Sequence, residues 1–238
     1  MSLTTFLLLA LVVVVASFVQ GAVGVGFALI VAPIASLVAP AMVPVSLLIL
    51  MVPLNLYVSW RERPAVDSGG TLWITLGRIA GAVGGVWILS RLSAHNLNLL
   101  IGIFTIVAAA ATLYAPSFTP GRNVFVLAGA VTGITETATG IGGPALAMVF
   151  QHHKPPALRS TIALCFAIGE VVSLVFFCWS GRVRMTTVEP ALALIPAVAL
   201  GVLLSRVVHQ HTEGGRLRIA VMVFAIVSGA LILIQTLA

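Results

Sequence analysis

Three ionisable residues stand where an apolar chain can least accommodate them: Arg78 in the run 71–90, Glu136 in TGITETATG, and Glu170 in the run 160–180. A guanidinium at membrane depth costs at least about 2.5 kcal/mol unless it is paired or hydrated, and a carboxylate poses the same problem with the opposite sign. Two chemistries follow. Arg78 either closes a buried ion pair with one of the glutamates, or acts as counter-charge to an anionic substrate while Glu136 or Glu170 carries a coupling proton. Thr132, Thr135 and Thr139 share a helical face with Glu136. Their hydroxyls either bind a polar substrate or bond back to the carbonyls of their own helix.

These polar groups adjoin two glycine clusters. TATGIGGPAL, at 137–146, places Gly140, Gly142 and Gly143 within four positions; AVGVGFAL, at 22–29, has Gly24 and Gly26 in the corresponding places. Each glycine costs a helix interior about 1 kcal/mol relative to Ala, and Pro33 and Pro144 disfavour continuation further. Irregular backbone survives in hydrocarbon only where protein buries it or water reaches it. Two breaks, each beside polar residues, therefore predict a site in which exposed N–H groups and helix starts attract an anion. The competing account is that the glycines only let helices pack closely.

The elements that must hold this site follow from composition. Of 238 residues, 60% are apolar and 8% charged, against roughly 45–50% and about 25% in soluble domains. The chain is expected to be an all-α polytopic membrane protein. The twelve Lys and Arg sit at the ends of apolar runs, as loop charges that set orientation do, so nucleic acid is not an expected partner. The N-terminal run lacks a basic start and a small-residue cleavage site and is expected to be retained. Cys165 and Cys178 form neither a metal pair nor an evident disulfide.

Runs of about twenty residues, enough to cross the hydrocarbon, lie at 41–60, 71–90, 97–115, 160–180, 188–207 and 217–237. Two further regions, 3–38 and 124–151, are interrupted by the glycine clusters and predict broken, re-entrant helices. The order is one broken element and three spans, twice, giving repeats at 1–118 and 119–238 within one membrane domain. An offset of about 115–120 residues lays Gln20 on Glu136, Asn55 on Glu170, Ser46 on Thr161 and Gly81 on Gly201. Gln20 and Asn55 thereby join the coupling candidates.

Loop charge selects between topologies. If each broken element returns to its own side, Arg61, Arg63, Arg122, Lys154, Arg159, Arg206, Arg216 and Arg218 share a face opposed only by Arg91, Arg182 and Arg184, the bias the positive-inside rule expects. Three crossings per half then invert the second repeat relative to the first, with both termini outward. Trp60, Trp73, Trp87 and Trp179 lie near span ends, as interfacial aromatics do. His152, His153, Lys154, His209 and His211 are expected in solvated loops, and paired histidines without a third ligand do not make a metal site.

GAVGVGFALIVAP, TATGIGGPALAM, PVSLLILMVPLNLYVSWRERPAVD, LGRIAGAVGGVWILSRL and RSTIAL together resemble the TauE/SafE family of sulfite and organosulfonate permeases over nearly the whole chain. The resemblance implies a multi-pass secondary transporter of the bacterial cytoplasmic membrane, carrying sulfite, sulfoacetate or another sulfonate, with no cofactor. It implies binding loops at Gly24, Gly26, Gly140, Gly142 and Gly143, with Arg159 and Thr161 nearby. Among rivals, a cation or metal carrier would use Glu136 and Glu170 as ligands, with Arg78 opposing it. A passive anion channel would share the loops without coupling. An enzyme is not expected, because no nucleophile–base set or H-E-x-x-H motif is present. A homo-oligomer is compatible with the sequence, which does not specify one.

Overall fold

The computed structural model describes residues 2–114, 120–151, 153–208 and 215–237, and every regular element among them is helical. Ten α-helices follow in order: α1 (Leu3–Val23), α2 (Phe27–Val38), α3 (Val45–Arg61), α4 (Ser68–Arg91), α5 (Ala94–Tyr114), α6 (Arg122–Thr139), α7 (Gly143–Val149), α8 (Pro155–Trp179), α9 (Met185–Val208) and α10 (Gly215–Leu237). Segments within α1, α4, α8, α9 and α10 are long and apolar enough to cross a membrane. Their outward faces carry large apolar side chains such as Leu11, Val83, Val175 and Ile234, as lipid-facing surfaces do.

Both interrupted regions are broken where the glycines stand, between α1 and α2 and between α6 and α7. The spans expected at 71–90, 160–180, 188–207 and 217–237 coincide with α4, α8, α9 and α10, and 97–115 falls largely on α5. The run 41–60 does not form a helix throughout. Pro44 follows Val43, which is extended (ψ 135°), and α3 starts only at Val45 and has 17 residues; a residue preceding proline is driven out of the helical region. Local signals set other ends: the Ser2 hydroxyl accepts from Thr5 N–H at 3.1 Å, and Asp67 caps α4 by accepting from Gly70 N–H at 3.1 Å.

Small residues bring helices into backbone contact. Along α4 and α6, which run parallel, Gly77 and Gly81 abut the carbonyls of Val126 and Ala130, while Gly129 and Gly133 abut those of Ile74 and Arg78. α1 lies parallel to α9, with Gly201 against Val14 and Gly21 against Ser205. α3 and α8 are antiparallel: Asn55 bonds Glu170 and Glu62 bonds Arg159. α5 and α10 are antiparallel too, Gly102 facing Leu233 and Gly229 facing Ile106.

These pairings give the bundle two ends. Arg61, Asp67, Arg122, His153, Arg159 and Arg206 gather at one, the basic end; Arg91, Arg182 and Arg184 stand at the other. The second broken element enters and leaves at the basic end, where the rings of Phe125 and Phe150 meet with centroids 5.7 Å apart. The first begins and finishes at the opposite end, where Ser46 Oγ donates to the Thr187 carbonyl at 2.8 Å.

Candidate functional site

Each break is built on a glycine that only glycine tolerates well. Gly24 closes α1 with φ +93° and donates its N–H to the Gln20 carbonyl at 2.8 Å. Gly140 closes α6 with φ +81° and donates to the Glu136 carbonyl at 2.7 Å. Both are left-handed caps. Gly26, at φ +130°, is also in a region that side chains avoid. Gly142 is glycine for space instead, because a methyl there would stand 2.8 Å from Thr132 Cγ2 and 2.9 Å from Glu136 Cβ.

The two breaks meet. Ideal Cβ positions at Gly143 and atoms of Val25 lie 3.7 Å apart, and one cavity is lined jointly by Gln20, Gly26, Ile141, Gly142, Gly143 and Phe166. Its volume is only about 10 Å³, room for about one water molecule. The backbone donors are not all bare, contrary to the simplest expectation. Phe27 N–H is held by Gln20 Oε1 at 3.1 Å, and Ile141 N–H by Thr139 Oγ1 at 3.2 Å.

The buried charges form two adjoining groups. Gln20 Nε2 donates to Asn55 Oδ1 at 3.0 Å, and Asn55 Nδ2 donates to Glu170 Oε1 at 2.7 Å. Arg78 pairs directly with Glu136, so the ion pair anticipated as one alternative is present. All three charges are essentially inaccessible, at 1% exposure for Arg78 and 0% for each glutamate. Arg78 Cζ lies 5.3 Å from the centre of the Phe166 ring, which itself lines the cavity. Gly169 makes this placement feasible, since any side chain there would overlap the guanidinium.

The pair does not exhaust its members. Arg78 Nε and Nη1, Glu136 Oε1, Glu170 Oε2 and Thr132 Oγ1 are buried without a hydrogen-bond partner. Unpaired buried polar atoms cost about 1–3 kcal/mol each, so this cluster is poised to bind water, a proton or a polar guest. One arginine beside two carboxylates can take up one further positive charge, while its unused N–H groups can donate to an oxyanion.

Other expected residues lie elsewhere. Arg159, at the basic end, holds Glu62 through Nε (3.1 Å to Oε2) and Nη2 (2.7 Å to Oε1). Thr161 Oγ1 accepts from Asp67 N–H at 2.9 Å. Arg159 nevertheless touches the first break, because a methyl on Gly24 would lie 2.8 Å from its Cγ. Thr139 bonds back to the Thr135 carbonyl at 2.7 Å, and Thr135 reaches toward the Thr132 carbonyl at 3.4 Å, the local alternative for these hydroxyls. His152, His209 and His211 lie outside the described residues, and among those described no three His, Cys, Asp or Glu side chains gather as metal ligands. Sequence reasoning missed Glu62, Phe166, Gly169 and the Thr137–Ser173 hydroxyl contact at 2.7 Å between α6 and α8. Only Gly169, next to Glu170, left a signal.

No curated protein and no solved structure matches the chain. The family model for the sulfite exporter TauE/SafE matches residues 9–232, the stretch that carries both breaks and Arg78, Glu136 and Glu170. Together with its all-helical, multi-pass architecture, this places the chain in the TauE/SafE sulfite exporter family.

Proposed function

We propose that the chain is a secondary transporter of the bacterial cytoplasmic membrane. It moves sulfite, sulfoacetate or a related sulfonate by alternating access, with a proton as coupling ion. The observation that carries this reading is the pair of unpartnered Arg78 donors, buried between two carboxylates beside the convergence of the glycine breaks. Arg78 donates to the oxyanion, the glycine loops Gly24–Gly26 and Gly140–Gly143 shape its chamber, and Glu170 carries the proton that keeps a second buried carboxylate from remaining uncompensated. With room for a single water, the chamber is in a collapsed state that opens to one end at a time.

Matched contacts support an inverted repeat of 1–118 and 119–238. Gly81 meets Ala130 as Gly201 meets Val14, and Ser46 reaches Thr187 as Thr161 meets Asp67. Asn55 and Glu170, equivalents under the offset, bond each other across antiparallel α3 and α8, as residues beside a two-fold axis in the membrane plane do. Positive charge assigns the basic end to the cytoplasm and both termini to the outside.

The test is uptake by the purified chain in liposomes, offering sulfite, sulfoacetate, taurine and divalent metals, with and without a pH gradient. Saturable uptake of a sulfur anion, accelerated by the gradient and lost in a folded Arg78→Gln variant, is the expected result. Normal anion transport by that variant removes Arg78 from the site. Uptake of a divalent cation in place of the anions replaces the proposal with the cation-carrier alternative, and anion flux indifferent to the gradient leaves a channel.

A further inference from the structure

A space far larger than the central chamber lies elsewhere among the described residues. At the end away from Glu62 and Arg159 a cavity of about 550 Å³ opens between the start of α3, the α4–α5 turn and the α8–α9 turn, within the range of small-molecule sites. Arg182 and Arg184 line it, and among the described residues neither has an acidic partner within ion-pairing distance. The contrast with the other end is sharp, because Arg61 and Arg159 there are both engaged by Glu62. Of the lining hydroxyls, Ser180 and Thr187 already donate to the Phe177 and Arg184 carbonyls, while two others can donate to a guest. Ser93 Oγ accepts from Asn96 N–H at 3.2 Å, which leaves its own proton free, and Thr186 adds another hydroxyl to the wall.

The floor gives the cavity its meaning. Pro44 and Val45 line it, and Pro44 and Leu47 are the side chains that face Gly140, with Leu47 Cδ2 3.1 Å from an ideal Cβ at that glycine. One layer of side chains therefore separates the second glycine break from a donor-rich, cationic antechamber.

We propose that this cavity is a second, outer binding site for a small free oxyanion, in which Arg182 and Arg184 with Ser93 gather the guest before it passes the Pro44–Leu47 layer. For the identity of the guest, sulfite, the proposal rests on the transport function proposed above. Its binding chemistry stands on the cavity alone. Guanidinium groups lining a concave mouth, as half-buried Arg182 and exposed Arg184 do, raise the local concentration of anions, and do so less as salt screens them.

The test is calorimetric titration of sulfite into the purified full chain in phosphatidylcholine nanodiscs. Replacing both arginines (Arg182→Gln with Arg184→Gln) is expected to weaken binding about 10-fold, and raising salt from about 50 to about 500 mM to weaken the wild type by a similar factor. Arg78→Gln should retain this salt-sensitive binding, so that the outer site and the central site fail separately. Loss of transport in Arg78→Gln with unchanged binding in the double variant sinks the outer site and leaves the central one. Loss of binding in the double variant with normal transport in Arg78→Gln does the reverse. No sulfite binding by the wild type overturns the proposal. In a parallel arm, phosphatidylglycerol in the nanodisc should leave sulfite affinity within about threefold; abolition of binding there would assign the cavity to a lipid headgroup and overturn a site for free anions.

Discussion

Gln20 and Glu136 hold the same place before their glycines, each accepting the capping hydrogen bond of Gly24 or Gly140 through its main-chain carbonyl, yet their side chains do different things. Gln20 turns its amide to Phe27 N–H and to Asn55, a neutral linkage that ties α1 to α2 and α3. Glu136 pairs with Arg78 and leaves one oxygen unused. The capping step itself thus needs the glycine and a main-chain carbonyl, not a particular side chain. The side chain four residues earlier is released for other work, bracing in one half and charge in the other.

The harshest challenge to this division is Arg78→Gln. It strands Glu136 in a dry interior, with an expected loss of about 3–5 kcal/mol and a fall in transport of at least about 100-fold. Replacing both partners together (Arg78→Met with Glu136→Leu) should recover most of the melting temperature and none of the uptake. Recovery of both would reduce the pair to packing. Gln20→Leu, the counterpart in the first half, should cost about 1–3 kcal/mol through unsatisfied Asn55 and Phe27 groups and leave transport measurable in liposomes. If it abolishes uptake as completely as Arg78→Gln, the two halves do not differ as argued.

The caps themselves should rank. Both Gly24→Ala and Gly140→Ala incur about 1–2 kcal/mol for a left-handed residue. A methyl at Gly24 would additionally stand 3.0 Å from Arg159 Cα, whereas one at Gly140 would meet the movable tip of Leu47, so thermal unfolding in detergent should show the larger drop for Gly24. A finer distinction comes from Glu170→Gln, which keeps the Asn55 contact and removes the acid. Sulfite uptake should continue while its acceleration by a pH gradient disappears. Smallest is Arg159→Gln, expected to lower stability by about 1–2 kcal/mol through its loss of Glu62 without changing KM. A tenfold rise in KM would instead make Arg159 a substrate ligand.

What could be seen in the sequence was whatever is encoded by contrast. Glycines amid apolar residues marked both breaks, and lone charges in oily runs marked Arg78, Glu136 and Glu170. Which glutamate Arg78 would choose could not be read, because it depends on α4 lying parallel to α6 at a distance that only Gly77, Gly81, Gly129 and Gly133 permit. Arg159 stood only as a loop charge or a neighbour of the binding loops for the same reason. Its partner, Glu62, sits about a hundred residues away at the end of α3, where nothing local announces a bidentate pair. Pro44 carried a readable instruction to delay α3, obscured by the unbroken hydropathy around it.

The glycine seam between α4 and α6 has a mechanical consequence. Main chain faces main chain at Gly77, Gly81, Gly85, Gly129 and Gly133, a contact with few side-chain tips to yield, which favours the two helices behaving as one rigid unit. Arg78 and Glu136 lie on opposite sides of that seam, so on the alternating-access reading proposed above they would ride together. On that same reading, the place to look for sliding is where helices meet through side chains, as α3 and α8 do at Asn55–Glu170.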